Sequence, residues 1–496
     1  MAVSADLFAR VQLDIRPLLS LSPAVGIALL ISLVCVGYVH YNLWLHPLKD
    51  FPGPFLGRAT GLYRVGQLIN GNVGRNLSDM HDQYGDVVRI GPNELSFISP
   101  DAWNDIRGIK NAKMSKPSLT HGLFDDEENV VVFGSSLNHV SKLRRLVAPG
   151  LSRQALDTYE PFIVRFTDLL VERLTEKAKV VEKPVNLRDW SFMWAFDIAG
   201  NVVLSTDFHN LEERRLNPWC RGQLTCARAM VILQVLLGLG LKWLTHAISG
   251  HWIVRDTIML GPGTNTMLKK RMNLGKEKVD VVGGLLFSKD PLVSTDLALN
   301  TSVLTLAASQ TTAAFLTASF CLLCQNPEAF QKLKDEIRTT FSDTDYIGVA
   351  STEELPYLDA CLQETLRLYP PTPLGIARVA PEGAHRLLGT LSLQTFAVNH
   401  SAKNFKNPHA FHPERFLGDE AYSGDALNGL QPFSVGPRNC IGKGLALAEV
   451  RIALVKLIMK FDMELAPDSV GWFRGQKMYF LWNPPPMNVY LKPVQG

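Results

Sequence analysis

Residues 17–39, PLLSLSPAVGIALLISLVCVGYV, carry no charged side chain. A bilayer is spanned by roughly 20 apolar residues, so whatever follows this run must fold beside a membrane or have the run removed. A cleaved signal wants a basic start and a small-residue cleavage site. Here Asp6, Arg10, Asp14 and Arg16 cancel before the run, and Lys49, Arg58 and Arg64 follow it. The cation excess on the C-terminal side favours a retained, single-pass anchor with the body on the cytoplasmic side; a cleaved signal or a buried helix are the alternatives. Pro47, Pro52 and Pro54 then preclude a continuous helix through HPLKDFPGPFLGR. The chain divides into a tail at 1–16, an anchor at 17–41, a proline-rich elbow at 42–56 and a body at 57–496.

The body has the length and the apolar content, 46% over the 496 residues, for a large core. A net charge of +3 gives no reason to expect nucleic acid as a partner. Cys35, Cys220, Cys226, Cys321, Cys324, Cys361 and Cys440 are odd in number and mostly scattered, which argues against a disulfide framework. The Cys321/Cys324 pair lies in an apolar helical pattern and reads as two buried side chains. Spacings of three and four predict helices over 153–178, 297–339, 353–369 and 442–462. Strands are expected within 85–98 and 478–492. The segment 229–248, AMVILQVLLGLGLKWLTHAI, reads as a core helix or as a patch dipping into the bilayer. The fold class is mainly α with small β-sheets (α+β).

Near the C-terminus, FSVGPRNCIGKG sets one cysteine, Cys440, among three glycines, a proline and an arginine. A cysteine binds metal as the thiolate. Gly436, Gly442 and Gly444 let backbone approach a flat cofactor closely, and turns there aim N–H groups at the sulfur, tuning a thiolate–iron bond. Arg438 presents a permanent forked cation to a carboxylate. The helical pattern from Gly444 onward places the loop at a helix N-terminus, whose dipole favours the thiolate.

This stretch resembles the heme-binding signature of the cytochromes P-450, with Phe433, Gly436, Arg438, Cys440 and Gly442 at the signature positions. The resemblance implies heme b, with Cys440 as the axial thiolate ligand of its iron and Phe433 packed against the ligand loop. ETLRLYPP resembles the family's ExxR pair through Glu364 and Arg367, and FHPERF supplies Arg415 to complete a charge triad. Taken alone, Glu364 and Arg367 are an i,i+3 ion pair worth a few tenths of a kcal/mol; in the family the triad is buried. Arg144 in HVSKLRRL and Arg378 in GIARVAPEG are the further propionate partners that the resemblance suggests. The aromatic or histidine expected one turn before Arg144 falls on Val140, beside His139. The order of anchor, elbow, ExxR, PERF and cysteine loop is the family's order. The chain looks most like membrane-bound fungal members of secondary metabolism. The implied fold is the cytochrome P-450 fold behind a transmembrane helix in the endoplasmic reticulum membrane. The implied partners are NADPH–cytochrome P-450 reductase and a lipophilic small molecule.

The sequence departs from the family in two places. The helix crossing the heme reads AASQTT: Ala307 and Thr311 fit, Ala308 replaces a glycine, and Gln310 stands where an acid is usual. Oxygen activation consumes two protons before the O–O bond breaks. A glutamate can release and regain one, whereas an amide only orients water. Water relaying protons past Gln310 would leave a monooxygenase; a non-oxidative isomerase, dehydratase or cyclase is the alternative. A heme carrier or sensor would need neither Thr311 nor a thiolate. The segment 379–399 is also shorter than the family's usual hairpin. No phosphate-binding GxxxxGK[ST] loop, HExxH zinc helix or GxSxG elbow competes with this site. The sequons at Asn76, Asn300 and Asn399 are expected to stay unmodified in a cytoplasmic body.

Overall fold

The computed structural model describes residues 22–111, 114–116, 134, 137–179, 183–248, 251, 260–289, 297–342, 344–380 and 389–494. The tail at 1–16, the first residues of the expected anchor and the middle of the short 379–399 segment lie outside these.

Pro23–His40 forms helix α1, and the helical path continues as a π-turn over Tyr41–Leu45. No residue of α1 is buried. An uncharged helix exposed all round is suited to lipid and not to water. The path ends where Pro47 forces His46 into an extended conformation (ψ 144°), so helix reaches further into the expected elbow than the proline spacing alone suggests. The elbow is nonetheless fixed. Fully buried Arg89 donates from Nη1 to the Asn42 carbonyl (2.9 Å) and from Nε and Nη2 to the Pro92 carbonyl (3.1 and 2.9 Å). Asn42 Nδ2 donates to the Ala59 carbonyl at 3.0 Å. Gly53 is required here, because a Cβ on it would lie 2.2 Å from the Arg89 carbonyl oxygen.

The body is helical around small sheets. Helices α2 (Leu137–Val147), α3 (Arg153–Ala178), α4 (Leu187–Leu204), α5 (Pro218–Gly238), α6 (Leu297–Gln325), α7 (Pro327–Thr340), α8 (Pro356–Leu368) and α9 (Lys443–Lys460) build it. Local chemistry sets several of their starts. Ser152 caps α3 by accepting from the Ala155 amide, and Asn217 caps α5 by accepting from Cys220, with Pro218 opening that helix. Helices α4 and α6 pack along each other at the centre of the core. Both are apolar around most of their circumference, which is why neither shows a clean one-sided pattern. Helix α6 is long and apolar enough for a membrane span but is largely buried in protein.

The periodic stretch 297–339 is two helices rather than one. Pro327 opens α7 and drives Asn326 out of the helical region (φ −126°, ψ 76°), while the apolar spacing continues across the break. The 85–98 stretch forms β1 (Val87–Gly91) and β2 (Glu94–Phe97), antiparallel across Pro92–Asn93. They join β4 (Arg378–Val379) and β5 (Thr390–Leu393) in a sheet of order β1-β2-β5-β4, in which β2 and β5 are parallel. A second sheet has β9 (Asn488–Pro493) between β3 (Val185–Asn186) and β6 (Phe461–Leu465). The 478–492 stretch is broken into β8 (Trp482–Asn483) and β9 by Pro484, Pro485 and Pro486, with β7 (Lys477–Met478) pairing with β8.

The 229–248 stretch divides in two. Ala229, Val231, Leu233 and Val235 are buried in the second half of α5, whereas Leu239 and Trp243 beyond it are exposed. All seven cysteines are free thiols. Asn300 and Asn399 are buried, closed to any glycosyl transfer in the folded state.

Candidate active site

The loop ahead of α9 and the middle of α6 form opposite walls of a cavity of about 300 Å³. The loop is held by its own backbone: the Cys440 amide donates to the Phe433 carbonyl at 2.7 Å, and Asn439 donates to Gly436 at 3.1 Å. Ser434 (φ 60°) and Gly436 (φ 74°) take left-handed conformations to turn it. A Cβ at Gly436 would stand 2.1 Å from the Arg107 carbonyl oxygen, so the glycine is also a packing requirement. A Cβ at Gly442 would meet no protein atom; this position is open on the cavity side.

Cys440 lies deep in the protein yet opens into the cavity. Burial pushes its thiol pKa up, while the Gly442 amide, Arg144 and Lys443 pull it down. Gly442 caps α9, which begins at Lys443, so the sulfur sits just ahead of that helix's positive end. The Phe433 ring lies on the same wall, with the Lys443 ammonium 5.6 Å from its centre.

The sequence-derived cations converge. Arg144, Arg378 and Arg438 line the cavity, joined by Arg107 and Lys116. Arg144 donates to both the carbonyl (2.9 Å) and the side-chain oxygen (3.0 Å) of Asn439, tying α2 to the ligand loop. Arg438 donates to the Gly134 carbonyl at 2.8 Å. Burial, then the neighbouring cations, pushes Arg107 down to about 9 and Arg378 to about 10, and Lys116 well below its ordinary value. No carboxylate lines the cavity among the described residues. Buried Arg107, Lys116 and Arg378 and half-buried Arg144 and Arg438 repel one another, and burial forfeits part of their hydration. An anionic group bound among them removes both costs. Val140, not His139, takes the cavity position one turn before Arg144 and offers no hydrogen bond there.

Glu364, Arg367 and Arg415 are brought together with no exposed side-chain surface. Arg367 forks onto Glu364 from Nε (2.7 Å) and Nη2 (2.8 Å), and Arg415 Nε donates to Glu364 at 3.1 Å. Arg367 also donates to the carbonyls of Asn399, Pro408 and Ala410, and Arg415 pairs with Asp425. The pair therefore acts as a staple between α8 and the segment leading to the ligand loop, not as a surface i,i+3 contact.

On α6, Ala307, Ala308 and Thr311 line the cavity, and the Thr311 hydroxyl donates to the Ala307 carbonyl at 2.7 Å. Gln310 does not belong to this wall. It is buried on the neighbouring face, where Nε2 donates to the Gln223 carbonyl of α5 at 2.9 Å. The expectation that Gln310 orients water in the proton path is corrected accordingly: successive residues on a helix point roughly 100° apart, and Gln310 is turned to α5 while Ala307, Ala308, Thr311 and Thr312 line the cavity. Gln310→Glu is expected to set a carboxyl against a carbonyl. Thermal unfolding should show a loss of about 1–3 kcal/mol, with no gain in product formation. Sequence reasoning also missed Thr312, which lines the cavity, and Glu449, an acid buried on α9. The signal for Glu449 was present: an acid on the apolar stripe of LALAEVRIALV.

The chain matches the cytochrome P450 family model over residues 47–491 and belongs to that family of heme-thiolate oxidoreductases. It is 35% identical over 483 residues to cytochrome P450 monooxygenase tpeC of Talaromyces stipitatus, covering 95% of each chain. It is 36% identical to cytochrome P450 monooxygenase 1 of Neocamarosporium betae, covering 94% of this chain and 98% of the relative. It is 34% identical to the trichothecene C-15 hydroxylase of Fusarium sporotrichioides, covering 97% and 99%.

The residues present fit heme: a thiol on one wall, a small-residue face opposite, an open glycine at the loop, and clustered cations for two propionates.

Proposed function

We propose that this protein is a membrane-anchored heme-thiolate monooxygenase that oxidises a lipophilic small molecule in fungal secondary metabolism. The observation that carries the reading is that Cys440 and Thr311 line one apolar cavity whose charged lining residues, among those described, are all cations. Bound heme b supplies the chemistry of electron uptake and oxygen activation. Cys440 would hold its iron, and Arg144, Arg378 and Arg438 would hold its propionates, aided by Lys116 and Arg107. Thr311 keeps a hydroxyl at the centre of the α6 wall, where it can hold a proton at Oγ. Val303, Leu306, Phe315, Leu374, Ile376 and Leu481 exclude water and present an apolar surface to a hydrocarbon scaffold. Relatives named as monooxygenases and as a trichothecene hydroxylase support oxidation of a small molecule. The isomerase, dehydratase or cyclase reading drew on Gln310; with that amide engaged on α5, no described residue favours it.

Electrons would come from NADPH–cytochrome P-450 reductase at the endoplasmic reticulum membrane, with the body on the cytoplasmic side. Exposed Phe55, Leu56, Leu62, Ile69, Leu239 and Trp243 come from segments packed next to one another below the anchor. They support a body that rests on the bilayer. A chain lacking residues 1–45 is expected to sediment partly with vesicles, and Leu56→Ser with Trp243→Ser to release it. Equal sedimentation of both forms would contradict this contact.

The reading is tested with membranes carrying the protein, reductase and a metabolite extract of the host. Substrate conversion that requires both NADPH and reductase is expected; conversion without them would overturn it.

A further inference from the structure

Arg107 ends the short helix Ala102–Arg107 and lines the cavity. Its side chain joins three separate segments. Nη2 donates to the carbonyls of Ile376 (3.0 Å) and Leu393 (3.3 Å), and Nη1 donates to Ser434 Oγ of the ligand loop (3.3 Å). The guanidinium also lies 4.9 Å from the centre of the Trp103 ring, whose Nε1 donates to the Gly429 carbonyl at 2.9 Å. The neighbouring backbone is shaped around it: a Cβ at Gly375 would stand 2.5 Å from Arg107 Nη2.

Three oxygen acceptors call for hydrogen-bond donors, not for a charge. Arg107 nevertheless brings one. It is 8% exposed, no carboxylate pairs with it among the described residues, and its Nε has no acceptor there. A second cation stands beside it, because the Ile376 carbonyl that takes Arg107 Nη2 also takes Arg378 Nη1 at 3.4 Å. Burial and this neighbour lower the Arg107 pKa to about 9, so the charge persists at neutral pH. A buried, unpaired charge is strongly disfavoured. Anionic charge in the cavity offsets that cost, and a one-electron reduction there adds more of it.

We propose that Arg107 is a positioning residue with two effects: its fork ties the ligand loop to the segment carrying Arg378, and its buried charge raises the reduction potential of the bound heme. One electron arrives from the reductase. No proton accompanies it, and no bond in the protein forms or breaks. The guanidinium favours the form that has gained the negative charge. A unit charge roughly 10 Å from a redox centre, at an effective dielectric of about 20, shifts such an equilibrium on the order of tenfold. This inference rests on the heme-thiolate reading of the cavity.

The test is a spectroelectrochemical titration of heme-loaded wild type, Arg107→Gln and Arg107→Lys. Each is first checked for the thiolate-type spectrum of the reduced, carbon monoxide-treated protein. At the potential that half-reduces the wild type, the reduced-to-oxidised ratio should fall about tenfold in Arg107→Gln, or about 59 mV for one electron. Arg107→Lys keeps the charge and loses the fork, so its potential should match the wild type. Both variants should unfold at lower temperature, since each loses donors to buried oxygens. Arg107→Gln at the wild-type potential, or Arg107→Lys at one as low as Arg107→Gln, overturns the proposal and leaves the heme-thiolate reading standing. A wild type without the thiolate spectrum overturns that reading, and the proposal with it. Should Arg107→Gln not retain heme, Arg107→Lys decides: lowered stability at an unchanged potential is expected, and wild-type stability or a lowered potential overturns the proposal.

Discussion

Cys440→Ser is expected to abolish NADPH-dependent turnover and to remove the thiolate signature from the spectrum of the reduced, carbon monoxide-treated protein. Serine fills nearly the same volume, and the Cys440 amide keeps its bond to Phe433, so the loop should persist. What is lost is the soft anionic donor, which a hydroxyl cannot replace near neutral pH. Stability of the heme-free chain should change by no more than about 1 kcal/mol. Retained turnover in Cys440→Ser would exclude the cysteine as the axial ligand.

Arg367→Leu is expected to be the most damaging single change to the fold. It leaves Glu364 charged, fully buried and facing only part of its former partners, and it frees the carbonyls of Asn399, Pro408 and Ala410. Removing one member of a buried ion pair costs about 3–5 kcal/mol, which is comparable to the whole stability of many domains. Expression should yield little soluble, heme-loaded protein. The double variant with Glu364→Leu should recover part of the loss, since no bare charge remains and Arg415 keeps Asp425 and the carbonyls of Lys406 and Asn407. A single variant as stable as wild type, measured by thermal unfolding, would contradict the role of this staple.

The ligand loop was legible because its determinants are local. The glycines, proline and arginine around Cys440 are contiguous, and the turn at Gly436 needs a residue that tolerates positive φ. Helices α3, α8 and α9 were legible from spacing, and the position of α8 follows from Pro356 at its first turn. What spacing could not give was phase against a distant neighbour. Gln310 and Thr311 are adjacent in sequence, yet one faces α5 and the other the cavity. The same holds for Arg107. Its guanidinium reaches the cavity only because the carbonyls of Ile376 and Leu393 and the Trp103 ring hold it there. The break at Asn326 was hidden because apolar spacing carries on across it.

Insertion of an oxygen atom from dioxygen into a lipophilic molecule is the proposed activity. Incubating protein, reductase, NADPH and extract under isotopically heavy dioxygen, then weighing the products, tests it most directly. The expected product is heavier by one oxygen atom, carries the heavy label and is absent from Cys440→Ser. A product of unchanged mass, one that has lost water, or one whose added oxygen is unlabelled would contradict it.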